Sequence, residues 1–199
     1  LPVVRLQIAL RDVAVDAASR GEPLPSRYFG MLGAWAALGV PGLLSSRTHV
    51  VEVSPNIPCI NGVNLQDLIS QHVHAPIAIE NDANAGAYGE FASGAGRGVR
   101  HMVYLSLGTG LGSGLIFGGK LYSGASGYAA EFGHTISQPG GRLCACGRNG
   151  CVEAYVSGTA MVTTAREKGR LDLLTAEMIF IAASAGDSIA QAVFEDTGR

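Results

Sequence analysis

Apolar residues recur along the chain with spacings that predict both helices and strands. Between residues 3 and 19 they return every three or four positions, as on one buried face of a helix, before Gly21 and Pro23 end the pattern. Residues 31–40 and 50–53 are short apolar runs of the kind that forms buried strands. The first half of the chain is therefore predicted to mix the two element types.

The middle of the chain has the pattern of a strand between two helices. Asn64 is placed to cap a helix over residues 65–73, and residues 77–79 then form an apolar run typical of a buried strand. A further helix is predicted over residues 83–92. This order places residues 80–82 at the carboxyl end of a strand, where open α/β sheets usually bind ligands.

A glycine-rich stretch at residues 93–98 divides the chain into two predicted domains, residues 1–96 and 97–199. The second domain has two predicted strands, a glycine pair that can form a hairpin turn, and two helical regions, the later one interrupted by Gly186. The strands are 102–107 and 114–117, the turn is Gly118–Gly119, and the helical regions are 152–167 and 175–194.

Composition limits the classes of protein that fit. With 47% hydrophobic and 15% charged residues, the 199-residue chain has enough apolar side chains for a globular core. A net charge of −2 argues against nucleic-acid binding by this segment. The longest apolar runs are too short to span a bilayer, and the start does not resemble a signal peptide. We expect a cytoplasmic protein with no membrane partner.

Three cysteines lie close together in the run Cys144-Ala-Cys146-Gly-Arg-Asn-Gly-Cys151, ten residues after His134. Three thiolates and one imidazole make the tetrahedral Cys3His set of a structural zinc site. Free or partly disulfide-bonded cysteines in a loop are the alternative. The spacing predicts a zinc site.

Asn81 and Asp82 follow the predicted strand at 77–79. Transfer of a phosphoryl group to a hydroxyl needs a carboxylate that accepts the hydroxyl proton, and Asp82 could do this while the Asn81 amide orients a neighbouring hydroxyl. An ordinary Asn-Asp helix cap is the alternative for these two residues.

A second glycine-rich segment, residues 107–114, lies between two predicted strands. Its Gly108, Thr109 and Gly110 could bring backbone N–H groups and a hydroxyl to a phosphate. The segment lacks the Gly-Lys-Ser/Thr ending of a P-loop and joins two strands, so a plain glycine-rich hairpin is the alternative.

Glu131 and Glu153 flank the predicted zinc ligands on either side. A metal that holds its ligands together would also bring these carboxylates near each other, where they could accept hydrogen bonds from several hydroxyls. Without the metal, each would be read as a solvated surface glutamate.

These motifs together resemble the ROK family (repressor, open reading frame, kinase) over about residues 30–199. The resemblance is carried by Glu131-Phe-Gly-His134, CACGRNGC at 144–151 and Glu153, with supporting motifs that follow in the family's order. The supporting motifs are GVPG at 39–42, SPNIP at 54–58, NGVNLQDLI at 61–69, IENDANAGAYGE at 79–90, GAGRGV at 94–99 and LGTGLGSGLI at 107–116.

The resemblance implies an actin-like, ribonuclease-H-like α/β fold with two lobes that close on a sugar and ATP. It implies that Asp82 is the catalytic base and that His134 serves zinc through one ring nitrogen and the sugar through the other. The other sugar-contact candidates that it implies are Asn81, Glu131, Glu153, Gly42 and Asn56. Gly108, Thr109 and Gly110 match the loop that contacts the phosphates of ATP.

The ends of the chain depart from the family pattern. Family kinases begin with a strand and an Asp-x-Gly-Gly-Thr loop that helps to place Mg²⁺, and nothing in residues 1–30 resembles it. They also continue into a Gly-Gly segment near the adenosine. The resemblance therefore predicts a chain truncated at both ends, with weak ATP binding, and leaves the activity of this fragment open.

The implied function is phosphorylation of a hexose, glucose first, or of an N-acetylhexosamine at the 6-hydroxyl. Structural zinc, ATP and Mg²⁺ are the implied cofactors, and a homodimer or homotetramer is the implied assembly. The alternative is a sugar-sensing repressor of the same family, with a helix-turn-helix upstream of this segment. The glycine-rich loop at 107–114 favours the kinase.

Overall fold

The computed structural model describes residues 36–73 and 77–198, which form two compact units. The first contains residues 36–102 and 115–129, and the second contains residues 103–114 and 130–198. The helix predicted over residues 3–19 lies outside the described residues. The predicted domain division after residue 96 stays a prediction.

Within the described residues, short strands form three small sheets with the orders β1-β4, β2-β3 and β5-β6-β7. The strands are β1 Ala36–Val40, β2 Leu43–Leu44, β3 Val51–Val53, β4 Ile77–Asn81, β5 Met102–Leu107, β6 Leu111–Phe117 and β7 Lys120–Leu121. The α-helices are α1 Leu65–Ser70, α2 Asp82–Ser93, α3 Glu153–Val156, α4 Gly158–Glu167, α5 Ala176–Ser184 and α6 Ser188–Thr197. Short 3₁₀ turns lie at Pro58–Ile60 and Phe132–His134.

The first unit is built around the parallel pair β1 and β4, in which Val40 lies opposite Asn81. The predicted cap of α1 is confirmed, because the Asn64 side chain accepts a hydrogen bond from the Asp67 N–H. The helix ends at Ser70, three residues before the predicted end. Its buried face packs into a core with the strands, formed by Val40, Leu44, Val51, Leu65 and Ile69.

The second unit has its own core, formed by Met161, Ala165, Ile179, Ala190 and Val193 from α4, α5 and α6 and by Leu173 from the segment between α4 and α5. The prediction of a single helix over residues 152–167 is wrong in one respect. It breaks at Ser157, which has an extended backbone and caps α4 by accepting a hydrogen bond from the Ala160 N–H. The predicted interruption at Gly186 is confirmed by its φ of 91°, a left-handed conformation that favours glycine.

The predicted glycine hairpin is confirmed in the first unit. Gly118 and Gly119 have φ values of 60° and 80°, which suit a two-residue turn between β6 and β7. β6 begins at Leu111, three residues earlier than predicted, so the glycine-rich loop is shortened to residues 108–110.

Candidate metal centre and catalytic carboxylate

The second unit brings together the four side chains that the sequence predicts as metal ligands. The ligand atoms of His134, Cys144, Cys146 and Cys151 all lie within 4.8 Å of one another. The cysteines are free thiols. Gly147 and Gly150 have φ values of 86° and 87° at the turns of the cysteine loop, where a residue with a Cβ would be strained.

The distances among these atoms suit a zinc ion. Zinc bonded tetrahedrally at about 2.3 Å to sulfur and about 2.0 Å to nitrogen separates its ligands by roughly 3.5–3.8 Å. Cys146 Sγ lies 3.6 Å from Cys151 Sγ, and Cys144 Sγ lies 3.7 Å from His134 Nδ1. The donor set and its spacing are compatible with zinc.

The three thiols have different proton affinities. Burial raises the pKa of Cys144 to about 12 and also raises the pKa of Cys151. Burial acts in the same direction at Cys146, but hydrogen bonds from Arg148 and from the other two thiols outweigh it and bring the pKa to about 6. A cation that binds all three sulfurs must therefore displace protons from the two buried thiols.

His134 turns its two ring nitrogens toward different partners. Nδ1 faces Cys144 Sγ, whereas Nε2 lies 3.9 Å from Glu131 Oε2. The 3₁₀ turn Phe132–His134 sets this arrangement by placing Glu131 and His134 three residues apart on the same turn. One nitrogen is thus available to the metal cluster and the other to the carboxylate side.

Sequence reasoning missed the role of Ser113 beside Glu131. The buried Ser113 hydroxyl donates a hydrogen bond to the Ala130 carbonyl and accepts one from the Phe132 N–H at 3.1 Å, so it fixes the backbone on both sides of Glu131. Ala130 itself has a φ of 70°, which is uncommon for a residue with a side chain. The partners of Ser113 lie 17 and 19 residues away in the sequence, so no local pattern identifies these contacts.

Glu153, the first residue of α3, connects the cysteine loop to the glycine-rich loop. Its Oε2 accepts a hydrogen bond of 2.8 Å from the Leu111 N–H, and its Oε1 lies 3.6 Å from Cys144 Sγ. A Cβ on Gly110 would stand 2.4 Å from Oε2. Glu153 is therefore not a solvated surface glutamate.

The glycine-rich loop is also held by the start of α4. The Gly108 carbonyl accepts a hydrogen bond from the Gly158 N–H, and the Thr109 carbonyl accepts one from the Thr159 hydroxyl, each at 2.8 Å. These contacts and the one through Glu153 fix the loop more firmly than a plain hairpin would. Its contact with phosphate stays a prediction.

Asp82 is the first residue of α2 and lies half-buried in the first unit. Desolvation raises the pKa of its carboxyl, and hydrogen bonds from the Ala83 N–H and from its own N–H partly offset that rise. The start of a helix favours a negative charge. The carboxyl thus combines a raised proton affinity with a position at the end of β4.

Asn81 has the contacts of a helix cap. Its Oδ1 accepts hydrogen bonds from the N–H groups of Ala83 and Asn84, and its Nδ2 donates to the Gly42 carbonyl at 3.0 Å. The capping alternative therefore describes its side chain well, and a sugar contact would need the second N–H of Nδ2. Gly42, with a φ of 116°, is held against Ser54, where a Cβ would clash.

The remaining candidate, Asn56, lies at an exposed bend after β3. The first unit thus brings Gly42, Asn81 and Asp82 together, and the second unit brings Glu131, His134 and Glu153 together with the cysteines.

Replacing Asn81 with alanine is expected to lower the free energy of unfolding by about 1 kcal/mol, because the Asn84 N–H at the start of α2 loses its acceptor and the Ala83 N–H keeps only the Asp82 carboxylate. Asn81→Ser keeps an oxygen at the cap and should recover most of that loss. Urea denaturation measures both variants. If Asn81→Ala is as stable as the wild type, the capping role is contradicted. If Asn81→Ser is stable but binds sugar weakly, the Asn81 amide also contacts the sugar.

Among the described residues, no helix is long and apolar enough to cross a membrane.

Comparisons with known proteins relate this chain to one family. The model of the ROK family matches residues 26–199. A glucokinase of Streptomyces coelicolor is 41% identical over 142 residues, which make up 71% of this chain and 44% of that protein. A xylose repressor of Caldicellulosiruptor bescii is 38% identical over 143 residues, or 72% of this chain and 35% of that protein.

A solved structure, a ROK family glucokinase from Streptomyces griseus in complex with glucose and AMPPNP, has a TM-score of 0.77 and 36% identity to this chain. The match covers 92% of this chain and 63% of that one. It confirms the expected α/β fold of the actin-like ATPases. The chain spans less than half the length of the two curated relatives.

Proposed function

The chain belongs to the ROK family, and from this membership we propose that the full-length protein transfers the γ-phosphoryl group of ATP to the 6-hydroxyl of a hexose. Glucose is the first candidate and an N-acetylhexosamine the second. Likeness to a glucokinase whose structure holds glucose and AMPPNP supports both kinds of ligand. Within this chain, the proposal is carried by Asp82, a half-buried carboxylate between β4 and α2.

Asp82 is the proposed general base. In the transfer, a bond forms between the sugar O6 and the γ-phosphorus while the bond to the bridging oxygen of ADP breaks, and the hydroxyl proton passes to the Asp82 carboxylate. Because burial raises the pKa of Asp82, its carboxylate is a stronger base than an exposed one. Gly108, Thr109 and Gly110 are proposed to contact the phosphates, and Mg²⁺ would offset their charge.

The proposed sugar ligands are the candidates that the family resemblance indicates. Each can accept or donate a hydrogen bond to a sugar hydroxyl, and they are Asn81, Asp82, Glu131, His134 and Glu153, with Gly42 and Asn56 from neighbouring loops. Nε2 of His134 is the nitrogen proposed to bind the sugar, because Nδ1 faces the cysteines.

Zinc is the proposed occupant of the cluster His134, Cys144, Cys146 and Cys151. When bound, it would supply folding energy to the loop rather than take part in the transfer. The ligand separations of 3.6 and 3.7 Å support this assignment. Unpaired thiols and ATP as a substrate favour a cytoplasmic location, and a homodimer or homotetramer remains the expected assembly.

The second candidate is a sugar-sensing repressor of the same family. It is favoured by the likeness to a xylose repressor at 38% identity. In that case the sugar would be bound without phosphoryl transfer, and a helix-turn-helix would stand upstream. The gene sequence upstream of residue 1 distinguishes the two, because an Asp-x-Gly-Gly-Thr loop there would favour the kinase.

A thermal-shift panel on the full-length protein tests the sugar class. Glucose, N-acetylglucosamine, N-acetylmannosamine and xylose are compared, with sorbitol as the control polyol. A ligand at 100 times its Kd stabilises by about 2.7 kcal/mol, which raises the melting temperature by roughly 5–10 °C. We expect glucose to give the largest rise and to be phosphorylated by ATP. A rise with xylose alone and no ADP release would support the repressor, and no rise with any sugar would contradict both.

A further inference from the structure

Glu153 joins two parts of the second unit that are far apart in the sequence. Its two carboxylate oxygens point in different directions, Oε2 toward the Leu111 N–H and Oε1 toward Cys144 Sγ. Leu111 follows directly on the glycine-rich loop, and Cys144 belongs to the metal cluster. One half-buried side chain thus contacts both.

The carboxylate of Glu153 occupies the space beside Gly110. Gly110 does not have the left-handed φ that requires glycine elsewhere in the chain. A Cβ at this position would instead stand 2.4 Å from Glu153 Oε2, closer than any real contact. A side chain at position 110 would therefore have to displace the Glu153 carboxylate.

We propose that Glu153 is a positioning residue that fixes the glycine-rich loop to the metal centre, so that metal occupancy controls the order of Gly108–Gly110. The short helix α3 starts two residues after Cys151, and only Ser157 separates it from Gly158 and Thr159, which hold the loop from the other side. Displacement of the cysteine loop would therefore move both anchors. A bound cation would also offset the negative charges of the Cys144 sulfur and the Glu153 carboxylate.

Hydrogen exchange of the Leu111 amide in the zinc-loaded, full-length protein tests the anchor without using activity. Glu153→Ala removes the acceptor and is expected to raise the Leu111 exchange rate about tenfold, the effect of losing one hydrogen bond to a charged group. Glu153→Gln keeps an oxygen in the same place and should keep most of the protection. Amides of α6 in the same experiment report global unfolding.

The metal dependence is measured in the same way after zinc is removed with a chelator. In the wild type, chelation is expected to raise the exchange rate of the Leu111 amide by more than the global unfolding measured at the α6 amides accounts for. In Glu153→Ala, chelation should raise the Leu111 exchange rate little further, because the contact between the loop and the metal centre is already lost. The proposal is overturned if Leu111 exchange is unchanged in Glu153→Ala, if Gln and Ala behave alike, or if chelation has equal effects in wild type and Glu153→Ala.

Gly110→Ala provides a second route. We expect it to speed Leu111 exchange in the wild-type background by displacing Glu153, and to have little effect in Glu153→Ala, where the space is open. Additive effects of the two substitutions would contradict the contact.

The kinetic consequence rests on the proposed function. Glu153→Ala should raise the KM for ATP roughly tenfold, and Glu153→Gln should restore it, because a looser loop binds phosphate less well. Equal KM values for ATP in Glu153→Ala and wild type would show that the anchoring of the loop does not govern ATP binding. The exchange results would still decide the role of Glu153, so the two failures are distinguishable.

Discussion

Asp82→Asn in the full-length protein is expected to reduce the kcat for hexose phosphorylation by roughly 10²–10⁴-fold, the usual contribution of a general base. Asparagine has nearly the same shape and can still bind a sugar hydroxyl, but it cannot take up the hydroxyl proton. Sugar affinity measured by calorimetry should therefore change little. ADP release in a coupled assay measures the turnover.

Asp67→Asn is the matched control for this substitution. Asp67 is also a carboxylate in the first turn of a helix of the first unit, but it is exposed and lies on α1. Its replacement should leave turnover unchanged. Turnover by Asp82→Asn within a few-fold of the control would remove Asp82 from the role of base.

Measuring the stability of Asp82→Asn distinguishes a loss of catalysis from a loss of folding. Burial raises the folded pKa of Asp82 above its ordinary value of 3.8. The folded state then holds this proton more tightly than the unfolded state, so its contribution to stability is present below pH 3.8 and is lost as pH rises through the folded pKa. At pH 7 the variant should be at least as stable as wild type, and the difference should shrink toward pH 4.

Local features of the fold and site could be predicted from the sequence. A cap such as Asn64 acts on N–H groups within three residues, so the pattern of a few neighbouring positions identifies it. The same holds for the cysteine loop, because the spacing of its cysteines predicts the cluster of side chains that the structure brings together. Asn81 could be read either as a cap or as a ligand, since both uses place the same residue at the start of a helix.

The contacts that span long stretches of sequence could not be predicted. The Glu153 carboxylate meets an N–H that lies 42 residues away, and the Ser113 hydroxyl meets a carbonyl 17 residues away. No periodicity marks such pairs, because their approach depends on how the strands and turns pack. The break at Ser157 was missed for a related reason, since an apolar pattern can continue across a capped junction between two helices.

Cys146→Ser is expected to reduce zinc from about one ion per chain to near zero after dialysis and to lower the melting temperature by about 10 °C or more. Cys146 is an exposed member of the cluster, so serine in its place removes a ligand without opening a cavity in the core. A hydroxyl does not replace a thiolate as a zinc ligand at neutral pH. Metal analysis and thermal denaturation measure the two effects.

Cys59→Ser is the matched control, because Cys59 is also an exposed free cysteine but lies in the first unit, outside the metal cluster. If zinc holds the loop, only Cys146→Ser should lose metal, and added zinc should raise the melting temperature of Cys59→Ser alone. A wild-type protein that contains no metal and is as stable as the two variants would refute the site. Because Glu131, His134 and Glu153 lie on the segments tied by these cysteines, the loss of zinc should also weaken sugar binding by Cys146→Ser, whereas Asp82→Asn keeps it.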